Sequence, residues 1–117
     1  MTTVSNNASM AWIDLCALSE LPPNAGLAAR LGETQIALFH LPDSEEKVFA
    51  LGNHDPKSGA NVLARGILGD LHGQRVVASP LYKQHYRLQD GQCLEDEAVK
   101  VPVWAVKIEN GRVWVEN

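Results

Sequence analysis

The residues best able to do chemistry gather between Asn53 and Leu94. Two loops punctuated by Pro and Gly stand there, His54-Asp55-Pro56-Lys57-Ser58-Gly59-Ala60 and Ser79-Pro80-Leu81-Tyr82-Lys83-Gln84-His85. His54, Asp55, His72 and His85 could in principle converge on a metal ion, but their spacings match no standard site. There is no Gly-x-Ser-x-Gly, no His-Glu-x-x-His and no Walker loop. Gly59, Gly66, Gly69 and Gly73 are spaced too irregularly to cradle a phosphate and suit turns instead. No residue is therefore assigned to catalysis or to a metal. The two loops read as fingers, and their tips can be either a hydrogen-bonded plug or a docking surface. Lys57, Tyr82, Lys83 and His85 would give such a surface a mixed basic and aromatic character.

The fingers resemble the cluster-binding subdomain of the Rieske family, which carries a Cys-x-His loop followed by Gly-Ala and then a Cys-x-x-His loop. Gly59-Ala60, Arg65-Gly66, Pro80 and the turn leading into Cys93-Leu94 fall in the corresponding places. That register sets Asp55 and Lys57 at the first Cys and His, and Ser79 and Tyr82 at the second pair. A Rieske centre is held by two thiolates on one iron and two imidazoles on the other. A lysine ammonium has no lone pair to give, and hydroxyls are poor substitutes for soft thiolate and imidazole. The resemblance thus implies the fold without its redox centre.

Within the family, Asp-Pro-x-Ser-Gly-Ala and Ser-Pro-Leu-Tyr-Lys-Gln are most similar to the small subunits of NAD(P)H-dependent assimilatory nitrite reductases. The similarity runs from about Trp12 to the end. It implies an all-β, Rieske-like antiparallel sandwich or partly open barrel, in which 53–94 is a degenerate cluster-binding subdomain. It also implies a cytoplasmic subunit with no cofactor and no catalytic activity of its own. Its partner would be a large subunit bearing FAD, sirohaem and an iron–sulfur cluster, which reduces nitrite to ammonium. The alternative is a free-standing Rieske-like electron-transfer or interaction module serving another oxidoreductase.

Short strands must position the fingers. Ala11–Leu15, Gly26–Leu31, Thr34–Leu41 and Lys47–Leu51 read as the first four, broken by the Pro22-Pro23 loop, the Gly32-Glu33 turn and the turn at 42–46. In the third strand Ile36 and Leu38 share a face with His40, while Ala37, Phe39 and Leu41 share the other. Neither face is polar, so that strand is expected between two apolar layers. His40 is expected at a strand end, on the surface. Asn61–Ala64 has room for one helical turn. Strands flank Asp70-Leu71-His72-Gly73, where Gly73 suits a positive φ. The Asp90-Gly91 turn signals a hairpin after Tyr86 and Leu88. Glu95-Asp96-Glu97 forms a small acidic loop.

Val101 is expected to begin the last hairpin, whose register follows from a type I′ turn at Asn110-Gly111. Glu109 then faces Arg112, Ile108 faces Val113, Lys107 faces Trp114 and Val106 faces Val115. Trp104, Val106, Ile108, Val113 and Val115 form the core face. Trp114 lies on the other face beside the Lys107 stem, where it is either covered by neighbours or a docking anchor.

The 117 residues suffice for one domain, taken as 11–117 behind a flexible tail at 1–10. Hydrophobic residues at 45% and charged residues at 21% are an ordinary globular balance that needs no metal or disulfide to make a core. A net charge of −4 with no basic run argues against nucleic acid. Cys16 and Cys93 read as reduced, mostly buried thiols. The first ten residues lack the charged and apolar regions of a signal peptide, and no run approaches the ~20 apolar residues of a membrane helix.

Overall fold

A computed structural model describes residues 11–117; the tail expected at 1–10 lies outside the described residues. Ten strands follow in order: β1 (Trp12–Ala17), β2 (Ala25–Leu31), β3 (Thr34–His40), β4 (Val48–Gly52), β5 (Ile67–Leu71), β6 (Gln74–Ala78), β7 (His85–Arg87), β8 (Val103–Trp104), β9 (Val106–Glu109) and β10 (Arg112–Glu116). They form three sheets, ordered β1-β10-β9, β2-β3-β4-β8 and β5-β6-β7. All strand pairings are antiparallel. The only helical segments among the described residues are two 3-10 turns, Leu18–Glu20 and Leu63–Arg65.

The middle sheet carries the core on both faces, as the apolar run of β3 requires. Ile36 and Leu38 pack with Val48, Ala50, Val113 and Val115 toward the β1-β10-β9 sheet. Ala37 and Phe39 pack with Leu51, Leu63, Val77, Tyr86 and Leu88 toward the third sheet. All four of those β3 side chains are fully buried, and burying a Phe or Leu side chain is worth about 1.5–3 kcal/mol. The 3-10 turn Leu63–Arg65 can pack against the middle sheet because β2 offers Gly26. A Cβ there would stand 2.4 Å from the Ala64 carbonyl oxygen and 2.7 Å from the Phe39 ring.

The last hairpin keeps the expected register at all four pairs. It starts later than expected, however. Val101 and Pro102 belong to no strand, and Val103–Trp104 pairs with Leu51 and Ala50 of β4. The chain then crosses sheets at Ala105, and Trp104 still reaches the core it was assigned to. The Asp90-Gly91 turn forms, but it joins no second full strand; Tyr86 and Cys93 make an isolated bridge instead. His40 ends β3 half-buried, with Nδ1 3.2 Å from the Leu21 carbonyl oxygen. Cys16 and Cys93 are free thiols and pack in the two different cores, one on each side of the middle sheet.

Candidate functional site

Both fingers are closed loops. In the first, the Asp55 N–H donates to Ala60 and the Gly59 N–H to Asp55, each at 2.8 Å. Its base is held by Asn53, which is buried. Asn53 donates to the Gln35 side chain at 3.1 Å and accepts from the Ala64 N–H at 2.7 Å. In the second, the Ser79 N–H donates to Gln84 at 2.9 Å and the Lys83 N–H to Ser79 at 3.0 Å. Closing that loop puts Lys83 at φ +63, a conformation uncommon for a residue with a Cβ.

The fingers lie side by side, joined by a buried carboxylate. Asp55 is 0% exposed and Ser79 1%. The Ser79 hydroxyl donates to Asp55 Oδ2 at 2.5 Å. The buried Tyr86 hydroxyl donates to Oδ1 at 2.9 Å, and the Lys57 N–H donates to the same oxygen at 3.0 Å. Burial pushes the Asp55 carboxyl up, but hydrogen bonds from Ser79, Lys57, Tyr86 and Ser58 outweigh it and hold the group below its usual range. Burial, and donation to that carboxylate, push the Tyr86 phenol far up. It therefore stays a donor. Three elements, two fingers and β7, thus meet on one ionised carboxylate.

A second layer of ties comes from the acidic loop after Cys93. Lys57 Nζ pairs with Asp96 at 2.8 Å. Glu95 accepts from the His85 N–H at 2.8 Å and lies 2.6 Å from His85 Nδ1. Burial raises the Glu95 carboxyl and the His85 contacts lower it, with a net downward shift. The loop is itself clamped by the Gln92 side-chain amide, which is within 3.0–3.4 Å of the carbonyls of Cys93, Asp96, Glu97 and Val99.

The structure therefore splits the four positions aligned with cluster ligands. Asp55 and Ser79 turn inward and bond to each other. Lys57 turns to Asp96, and Tyr82 stands 63% exposed at the tip. Lys83 is exposed beside it. Trp114 lies apart, on the far sheet. There Lys107 Nζ sits 4.7 Å from the Trp12 ring centre and 5.7 Å from that of Trp114. Sequence reasoning assigns no role at the site to Tyr86 or to the Glu95-Asp96 pair. Tyr86 was legible only as an apolar alternation partner of Leu88, although a buried tyrosine hydroxyl calls for an acceptor. The acidic loop gave no sign of which cations it would meet.

This donor set does not fit a [2Fe–2S] cluster. It offers no thiolate and no free imidazole at the four positions. The one carboxylate is already committed to three donors, and the one amine is an ion-paired ammonium.

Residues 11–116 match the family of Rieske-like [2Fe-2S] domains, and the chain belongs to that family. The chain is 40% identical over 102 residues to the NADH nitrite reductase small subunit of Escherichia coli, covering 87% of this chain and 94% of that one. It groups with these small subunits within the family. The solution structure of the E. coli protein NirD superposes with a TM-score of 0.83 at 38% identity, covering 92% of this chain and 96% of that one. A third relative is the NAD(P)H nitrite reductase large subunit of Klebsiella oxytoca, 51% identical over 109 residues. The match takes in 93% of this chain but only 11% of that protein's length.

Proposed function

We propose that this chain is the small, cofactor-free subunit of a cytoplasmic NAD(P)H-dependent nitrite reductase that reduces nitrite to ammonium. In this reading the large subunit holds FAD, sirohaem and an iron–sulfur cluster and carries out the electron transfer. The chain described here binds, stabilises or orients it. The observation that carries the reading is the near full-length match to the E. coli small subunit, joined to a cluster position filled by Asp55 and Ser79 bonded to each other. The K. oxytoca relative adds support for the partner. In it, a segment like this chain is built into a polypeptide named as the large subunit. No helix among the described residues is long and apolar enough to cross a membrane.

The test is reconstitution. Nitrite-dependent NAD(P)H oxidation by the purified large subunit is measured with and without this chain. Addition of the chain is expected to raise turnover or to protect it against thermal loss. If neither changes, and no complex forms by size-exclusion chromatography, the reading fails.

A further inference from the structure

We propose that the tip of the second finger is the face that seats the large subunit, with Leu81 and Tyr82 as the apolar anchors and Lys83 as a charged rim. The inference rests on the small-subunit reading above and adds to it the contact surface.

Exposed apolar bulk concentrates on this finger. Of the four large hydrophobic residues that stand exposed among the described residues, Tyr82 at 63% and Leu81 at 52% lie on the second finger, between β6 and β7, and Ile67 at 74% starts β5 at its foot. Ile67 pairs with Ala78 at the foot of the finger, one position before Ser79. An exposed tyrosine suits the core of an interface, where aromatic residues are enriched, and the neighbouring leucine extends its apolar area.

The tip is also rigid. Its backbone is closed by the two bonds between Ser79 and residues 83 and 84, and its base is tied to Asp55. The left-handed Lys83 is a strained conformation, and the surrounding bonds hold it there. A preorganised tip loses little freedom on binding, so its apolar area converts efficiently into affinity. The other polar tip residues are satisfied internally: Lys57 by Asp96, with His85 beside Glu95. Lys83 has no carboxylate within ion-pair reach among the described residues.

The occupant that fits is an apolar patch with carboxylates at its rim on the large subunit. Both ends of the described chain, β1 and β10, lie in the outer sheet on the opposite side of the middle sheet from the fingers. A domain built into a large subunit, as the segment of the K. oxytoca relative is, would leave the finger layer free to face that protein's body if joined through its ends. Trp114 is a weaker anchor, because the Lys107 ammonium already lies over its ring as well as over that of Trp12.

The experiment titrates the full chain against purified large subunit by isothermal calorimetry at low and high salt, with thermal melts run in parallel. Leu81→Glu and Tyr82→Glu are each expected to weaken binding at least tenfold with unchanged melting temperature, because both side chains are already in water. Lys83→Glu is expected to weaken binding at low salt and to flatten its salt dependence. Val103→Ser, the exposed hydrophobic residue away from the fingers, is expected to bind like the wild type. Wild-type binding with no loss in the Leu81 and Tyr82 variants would overturn the tip assignment and leave the subunit reading standing. So would a loss confined to Trp114→Ala. Absence of any wild-type complex would overturn both.

Discussion

The hydroxyl of Ser79 and the carboxylate of Asp55, 24 residues apart, meet at 2.5 Å with neither side chain open to water. In the family register these are the two positions where thiolates would share one iron. A hydrogen bond to an ionised acceptor here joins the two fingers. Such bonds are short and about twice as strong as neutral ones. The arrangement also explains why Tyr86 is buried with its hydroxyl aimed at Asp55 rather than at solvent.

Removing the carboxylate should therefore loosen both fingers. Asp55→Ala strands the Ser79 and Tyr86 hydroxyls in a dry site and takes the acceptor from the part-buried Lys57 N–H. Each orphaned group costs about 1–3 kcal/mol, so a loss of roughly 3 kcal/mol or more is expected by urea denaturation. Asp55→Asn keeps the shape and one acceptor oxygen, and the Ser79 hydroxyl can turn to accept from the new amide. Its cost is expected at about half that of the alanine variant. Equal stability of Asp55→Ala and wild type would remove the carboxylate from its bridging role.

The same site sets part of the acid limit. The Asp55 carboxyl sits below its ordinary value in the folded chain, so the unfolded chain binds its proton first as pH falls. The stabilisation is whole above the unfolded carboxyl pKa of about 4, and it is lost as pH drops through the lower folded value. Asp90, Glu95 and Asp96 are shifted the same way and act in parallel. The Asp55 part is isolated by difference. The gap in melting temperature between wild type and Asp55→Asn should be constant from pH 5 to 7 and shrink below about pH 4. A gap that widens in acid would contradict the sign.

The Asn110-Gly111 turn fixed the register of β9 and β10, because a two-residue loop leaves one way to pair the strands. The unbroken burial of Ile36 to Phe39 followed from their alternation, since two apolar faces need two partners. The finger pair came from loop pattern and family likeness. Three features were not legible. The change of sheet at Ala105 depends on β8 finding β4, a long-range pairing that no local signal encodes. The bond from Tyr86 to Asp55 spans 31 residues. The Lys57–Asp96 pair spans 39. Strand periodicity orders what lies along one element, whereas these contacts exist only once separate elements have stacked.

Gly91 offers a sharper test of how the fingers rest on the rest of the chain. It holds φ +79, and a Cβ there would stand 2.1 Å from the Val101 carbonyl oxygen. The clash is with backbone, and the Val101 N–H already donates to Gly91 at 2.9 Å. Relief would break that bond and shift the segment leading into β8. Gly91→Ala is expected to cost about 3 kcal/mol or more, the range of a severe backbone conflict. Gly32→Ala is the control. It also has a positive φ, +63, but open space around it, so only the conformational penalty of about 1 kcal/mol applies. Similar losses at both sites would mean that Val101 yields freely.

Iron is expected to distinguish this chain from members of its family that carry a cluster. For iron to enter between the fingers, Asp55 would have to give up the Ser79, Tyr86 and Lys57 donors together, and Lys57 would have to leave Asp96 and lose a proton. The Lys57 ammonium is held up by its hydrogen bond and charge attraction to Asp96, which makes that proton harder to remove. What remained would be oxygen donors, poorly matched to a two-iron sulfide core. Anaerobic reconstitution of the purified chain with ferrous iron and sulfide should give no visible absorption and no bound iron after desalting. The melting temperature should not move, since a ligand that binds the folded state would raise it. A coloured protein with stoichiometric iron and a higher melting temperature would show that the hydrogen-bonded bridge opens to admit a cluster, and the cofactor-free reading would fall with it.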